Sequence, residues 1–338
     1  MSRKHMTYSG IGGQAVIEGI MMKNADKYSV GVRKPDGKIE VAVNDCINTS
    51  KRKGIMSVPF VRGVIAFVDS TVLGIKSLTY SASFFEDEEI DEKPSKFDEF
   101  VERKLGEKAE GVLMGLVVAI SVVFSIALFM MLPLAIADFL KNHVSAVKKT
   151  MVPAIEGIVK ILIFLIYLLL ISLMKDIRRT FMYHGAEHKC INCLESGNEL
   201  TVENVRKASR YHKRCGTSFL FFVIFISIVF FIFIRTDNIL LRYAIRIALI
   251  PVIAGISYEC IRFAGVRDNL FVTIISAPGK FIQKITTKEP TDDMIEVGIA
   301  AVEAVFNWRE YLRGNGIYVP DPIDDKYVLD DEDSEYFE

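Results

Sequence analysis

Histidine, cysteine and tryptophan are all scarce in this chain of 338 residues, at five, five and one. The cysteines (Cys46, Cys190, Cys193, Cys215 and Cys260) are odd in number and widely spread. That excludes the paired framework of a small secreted disulfide domain and points to reduced thiols or metal ligands. Net charge is lacking too: 41 Lys and Arg against 42 Asp and Glu leave −1. There is no global electrostatic footprint for nucleic acid, and none is expected as a partner. The first 13 residues lack the apolar stretch of a secretory signal, so insertion into a membrane would rest on internal segments. A dinucleotide fingerprint is missing as well. Gly10, Gly12 and Gly13 suggest positive φ or close backbone approach, but no strand can be placed before them and no GxGxxG follows.

What is present is apolar sequence, concentrated in blocks. Hydrophobic residues reach 51% and mean hydropathy is +0.29, while 25% of residues are charged. Those values coexist only if charge and apolar residues sit in different places. No Asp, Glu, Lys or Arg occurs between Glu110 and Asp138, long enough for a helix to cross a hydrocarbon core of about 30 Å. Four spans are expected, at about 112–137, 152–174, 216–234 and 239–258. Glu156 and Lys160 lie four apart in the second and can pair on a helix. The fourth is the weakest, because Arg242 and Arg246 sit in its first half and would have to snorkel to the interface.

The rest of the chain divides around these spans. Residues 1–54 read as a glycine-rich segment and a β-hairpin, Tyr28 to Arg33 and Lys38 to Val43 about the turn Pro35-Asp36-Gly37. Residues 55–111 hold an apolar stretch with Arg62, Asp69 and Lys76 spaced seven apart, then the acidic linker 86–92. The stretch reads either as an interfacial helix or as a buried helix of a cytoplasmic domain. Residues 259–317 form a C-terminal cytoplasmic helical region, with Thr291 as cap and Gly314 as stop of a helix over 290–314. An acidic tail, 318–338, closes the chain. The expected fold is thus a mainly α-helical polytopic membrane protein with a small N-terminal β-rich cytoplasmic region. The 175–215 loop carries nine Lys and Arg against three in 138–151, which places it and both termini in the cytoplasm, in agreement with Lys51-Arg52-Lys53.

Three of the five histidines fall within 29 residues of this loop: His184, His188 and His212. His184 and His188 are four apart, so on a helix both imidazoles leave one face and can share an ion. With Glu187 they spell H-x-x-E-H, the inverted arrangement of inverzincin proteases, in which the glutamate is the base. Cys190-x-x-Cys193 followed by His212-x-x-Cys215 also has the spacing of a structural zinc knuckle. Glu259, a carboxylate at the end of the fourth span, is a further suspect. The donors exceed what one tetrahedral ion can use. A purely structural, hydrogen-bonded role for the cluster stays open, as does anion binding by Arg206, Arg210 and Arg214.

The blocks GGQAVIEGIMM (12–22), YHGAEHKCINCLESGNELTVENV (183–205), SRYHKRCGTSFL (209–220) and TTKEPTDDMIEVGIAAVEAV (286–305) resemble the signatures of the YqhQ family. This is a bacterial family of multi-pass membrane proteins of unknown function, sometimes described as predicted metal-dependent enzymes. The resemblance covers nearly the whole chain and implies a bacterial inner-membrane location. It carries over His184, Glu187, His188, His212, Cys215 and Glu18; Cys193 is not among them.

The reading that follows is a metal-dependent membrane enzyme, hydrolytic in class, with zinc as the foremost divalent metal. His184 and His188 would hold the ion, His212 or Cys215 would complete three ligands, and Glu187 would be the base at an open fourth position. Cys190, Cys193, Glu259 and Glu18 are additional candidates. Membrane lipid, or a membrane-protein partner or substrate, would meet the site at the cytoplasmic face. The rival is a non-enzymatic scaffold or assembly factor with a structural metal; a transporter is disfavoured by the small number of spans and intramembrane charges.

Overall fold

The computed structural model describes residues 8–46, 54, 58–85, 109–234, 236, 238–265 and 270–320. The acidic linker at 86–92, the Lys51-Arg52-Lys53 cluster and the acidic tail beyond 320 lie outside the described residues. Four antiparallel strands come first: β1 (Gly12–Val16), β2 (Gly19–Asn24), β3 (Lys27–Arg33) and β4 (Ile39–Asp45), in the order β1-β2-β3-β4. The β3–β4 hairpin closes about Pro35-Asp36-Gly37 as expected. The first hairpin was not expected, since GIGGQ is mostly glycine, with Ile11 its one β-branched residue and no alternation. Its two-residue turn holds Glu18 at φ 47.

The helices follow. α1 is Val61–Ala82; α2 (Ala109–Ile126) continues through a π turn, Ala127–Met131, into α3 (Leu132–His143). Then come α4 (Val152–Ile171), α5 (Lys175–Glu195), α6 (Val202–Lys207), α7 (Gly216–Phe233) and α8 (Ile239–Gly265). The last three are α9 (Leu270–Thr286), α10 (Asp292–Glu303) and α11 (Trp308–Gly314). Four segments are long and apolar enough to cross a membrane: Gly115–His143, Val152–Ile171, Gly216–Phe233 and Leu240–Ala264. The chain is therefore a mainly helical, polytopic membrane protein with a small N-terminal sheet. The fourth segment is long enough for a full span and runs six residues further than the sequence suggests.

Its arginines are both paired. Arg246 is buried and makes a two-pronged pair with Glu156, at 2.6 and 2.7 Å, and Arg242 meets Asp138 at 3.2 Å. A carboxylate answers each guanidinium group, which lets a helix carrying both remain otherwise apolar. Glu156 is consequently given to Arg246 rather than to Lys160. Two other expectations change. The region 290–314 is two helices broken at 304–307, and Thr291 occupies the N-cap without a side-chain cap bond. α9 lies in the helical region expected over 259–317 and packs against α7, where Gly279 lets the backbone approach Ser218.

Two layers hold the sheet. Val16, Met21, Val30 and Val32 form one face and pack on Leu73 of α1. Ile20 and Met22 face the other way into a core with α5 and α10, where Ser29 donates to the Ala301 carbonyl at 2.6 Å. α1 then links this sheet to the spans. A Cβ on Gly63 would come within 2.9 Å of the Gly255 carbonyl on α8, a close approach typical of helix packing in membranes, and Arg62 pairs with Glu259 at 2.5 Å. The outward side of α1 is apolar and exposed at Val61, Val68, Val72 and Ile75.

Candidate metal centre

The loop expected over 175–215 begins as a 21-residue helix, α5. Its interior half is polar in sequence yet buried: Glu187, His188 and Lys189 are each at most 5% exposed. The reason is a strap, residues 206–215, laid along one face of the helix. Lys189 donates to the carbonyls of Arg206 and Ala208 at 2.9 and 3.0 Å and pairs with Glu289. Asn192 donates to the carbonyls of Ser209 and Tyr211. The strap's end is fixed by Gln283 of α9, which exchanges two bonds of 2.8 Å with the His212 backbone. This delivers Cys215, the N-cap of α7, to the two histidines.

The donor atoms of His184, His188 and Cys215 all lie within 4.8 Å of one another, with His184 Nε2 3.2 Å from Cys215 Sγ. In a tetrahedral zinc site the corresponding separations are roughly 3.4–3.6 Å, so a small adjustment suffices. The other ring nitrogens decide the tautomers. His184 Nδ1 lies 2.8 Å from the Thr286 carbonyl and His188 Nδ1 2.6 Å from the Arg210 carbonyl. A carbonyl only accepts, so each Nδ1 carries a proton, and in the neutral ring each Nε2 offers its lone pair. That outer bond to a carbonyl is what metal-ligating histidines commonly have. The sulfur lies at the positive end of α7 and accepts from the Thr217 N–H at 3.4 Å.

Glu187 sits beside this set. Its carboxylate accepts the Gly13 N–H of β1, and burial holds its pKa above the usual carboxylate range. Gly13 is required there: a Cβ would meet the Met21 carbonyl at 2.5 Å and Glu187 Cγ at 3.0 Å. The cluster opens into a cavity of about 620 Å³ lined also by Gly10–Gln14, Ser70, Leu73 and Tyr258, within the range of ligand pockets.

The remaining sequence candidates fall elsewhere. His212 is buried behind His188, ring centroids 5.5 Å apart, and its Nε2 lies 3.8 Å from Glu195. Burial pushes the His212 ring down to about 4, while Glu195 is drawn down to about 2 because the nearby His212 ring and the bonds from Arg214 and Ser9 outweigh its burial. Cys190 and Cys193 are core thiols. Cys190 packs where a Cβ on Gly298 would sit 2.9 Å away, and Cys193 donates to the Glu199 carbonyl at 3.3 Å. Burial pushes Cys193 up to about 12 and Cys190 higher still. The four-donor cage of cysteines and histidines is thus not assembled, because Cys190 and Cys193 leave the helix on the side away from His184 and His188. Glu18 is a strut, bound by both prongs of Arg179 and by the Tyr183 hydroxyl. Glu259 holds Arg62. Sequence reasoning missed Thr286, Gln283, Lys189 and Asn192, all of which act on the cluster from outside, whereas the close backbone approach it expected at Gly13 is present.

Gly185 is the point where the 286–288 segment meets α5. A Cβ there would lie 2.0 Å from the Lys288 carbonyl oxygen, and Lys288 N–H is bonded to Phe181. Gly185→Ala is therefore expected to push Thr286 off His184. The expected cost is about 1–3 kcal/mol in stability and about 10–100-fold in metal affinity, read by thermal unfolding and by zinc competition with a chelating dye. Unchanged zinc affinity would mean that the Thr286 contact does not orient His184.

Comparison with known proteins gives a family and no function. Residues 58–308 match the family described as "Protein of unknown function (DUF1385)". The chain is 36% identical over 315 residues to "Uncharacterized protein YqhQ" of Bacillus subtilis (strain 168), covering 92% of this chain and 94% of that protein. No solved structure matches. With three quarters of its length inside the family match and a relative of this identity along nearly all of it, the chain belongs to the DUF1385 family, the family of YqhQ, whose function is unknown.

Proposed function

We propose that the protein is a metal-dependent hydrolytic enzyme of the bacterial inner membrane, with its site at the cytoplasmic face. The observation that carries this reading is the pair of carbonyl-bound Nδ1 atoms, which leave the Nε2 atoms as the available donors of two rings that gather with the Cys215 sulfur. Three protein donors with an open side are the pattern of catalytic zinc sites, whereas closed structural sites use four. A divalent ion bound there, zinc foremost, would supply Lewis acidity and lower the pKa of a water on its open side. His184 and His188 would hold it through Nε2 and Cys215 through Sγ. Glu187 would take the proton of the attacking water and pass it to the leaving atom; burial of its carboxylate favours proton uptake, and outweighs the opposing Gly13 N–H.

Orientation follows from the basic loop. Nine Lys and Arg between 175 and 215 favour the cytoplasmic side, which puts both termini there as well. The apolar outer side of α1, continuous with the packing of that helix on α8, would lie in the interface. The substrate would accordingly be lipid-like or tethered to the membrane.

Elemental analysis of detergent-purified protein tests this. Wild type is expected to hold about one zinc, iron or manganese per chain, and His188→Ala to lose it. Folded wild type without stoichiometric metal would remove the proposal. A metal that resists all three single ligand substitutions would favour the rival reading, a scaffold with a structural ion.

A further inference from the structure

One edge of the sheet is unpaired, and it borders the cluster. β1 is the outer strand. The pair Val16↔Gly19 closes a two-residue turn, so Gly12, Gln14 and Val16 direct their main-chain groups to β2 while Gly13 and Ala15 direct theirs outward. Two outward donors are already taken: the Gly13 N–H by Glu187 and the Ile17 N–H by Ser81 Oγ at 3.2 Å. Among the described residues nothing bonds the outward carbonyl of Gly13.

This edge looks into a slot. Residues 10–14 form one wall of the cavity and Ser70 and Leu73 of α1 the other, with His184, His188 and Cys215 at its end. The slot exists because β1 is bare where it faces α1: a Cβ on Gly10 or Gly12 would meet nothing within 4 Å. Gln14, Ser70, Lys23 and Asn24 place hydrogen-bonding groups among the apolar Ile11, Met21 and Leu73. A wall that mixes hydrogen-bonding and apolar groups suits an extended main chain with its side chains.

We infer that the slot takes an extended polypeptide segment, paired by its main chain to the outer edge of β1, so that the bond presented to the cluster is a peptide bond. The inference rests on the metal-dependent reading above and narrows its substrate to protein. Strand addition to a free edge supplies affinity through main-chain bonds without requiring a particular sequence. The bond between Gly13 and Glu187 sets the register, since it brings the edge within one hydrogen bond of the proposed base. In the reaction the oxygen of water bonds to the carbonyl carbon and the C–N bond breaks. The water proton passes through Glu187 to the leaving nitrogen, giving a carboxylate and an amine with no change of oxidation state.

The test uses three hydroxamates on zinc-loaded, full-length protein in detergent, with binding read by calorimetry. Acetohydroxamate reports the metal alone, a tetra-alanyl hydroxamate adds a peptide backbone, and decanoyl hydroxamate adds an acyl chain; His188→Ala corrects for micelle partitioning. The peptide probe is expected to bind at least about tenfold tighter than acetohydroxamate. N-methylation at alternate alanines should remove that gain in one register and spare it in the other, the period-two signature of strand pairing. Gly12→Val, which fills the slot, should remove it in both. If N-methylation in either register has the same effect, or the decanoyl probe alone gains affinity, the polypeptide assignment is overturned and a lipid substrate takes its place. If acetohydroxamate itself does not bind, the metal reading fails first, and the polypeptide inference falls with it.

Discussion

Glu156→Ala is expected to cost about 3–5 kcal/mol of stability, the range for removing one partner of a buried ion pair. Glu156 and Arg246 have side chains 2% and 4% exposed, and the pair ties α4 to α8. Lys160 lies against the same group, its Nζ 4.6 Å from the centre of the Phe231 ring on which Arg246 also rests. Without Glu156, two cations share one buried space with only an aromatic face and Ser227 nearby. Low dielectric makes that repulsion strong. Chemical unfolding in detergent measures the loss. Replacing Glu156 and Arg246 together by leucine should recover most of it, because the uncompensated charge is then reduced to Lys160. If the double variant is no more stable than Glu156→Ala, the pair is not the source of the cost.

How far the sequence reaches can be judged from particular residues. The spans are legible because a charge-free run of 27 residues has one physical use. The partners of the intramembrane charges are not, since Glu156 and Arg246 are 90 residues apart and only the packing of α4 on α8 brings them together. Glu156 and Lys160 were the local alternative, and local spacing chose wrongly. The same contrast runs through the site. His184 and His188 are legible from helical spacing, and Cys215 from its company in the loop. Cys190 and Cys193 mislead because C-x-x-C spacing is silent about direction: once they continue the same helix, two residues past His188 is about 200° around it. The groups that orient the histidines are backbone carbonyls, at Thr286 and Arg210. Any residue type supplies a carbonyl, so no pattern of letters can announce it. β1 was invisible for a related reason. Its glycines carry no strand preference, and they are there for what must fit beside them, Glu187 on one side and open space on the other.

Glu187→Gln is the substitution that separates chemistry from metal holding. Gln is nearly isosteric and its amide oxygen can still accept the Gly13 N–H, so the contact that seats the side chain survives. What is lost is the capacity to take and return a proton. Zinc content is therefore expected to stay at the wild-type level, while hydrolysis of p-nitrophenyl acetate by the zinc-loaded protein falls about 10²–10⁴-fold, the usual contribution of a positioned general base. That is roughly 3–5 kcal/mol of transition-state stabilisation. An activated ester suits this test because its leaving group needs no proton, which leaves the activation of water as the exposed step. His188→Ala should lose metal and hydrolysis together, since His188 supplies one of the three donors that the described residues gather in the cluster. A Glu187→Gln protein that keeps its zinc and hydrolyses at the wild-type rate would show that Glu187 is not the base. One that loses zinc would place Glu187 among the groups holding the ion. The two variants thus divide the cluster along the line its geometry draws, with His184, His188 and Cys215 gathering around a common point and Glu187 standing beside them with its carboxylate pinned to β1.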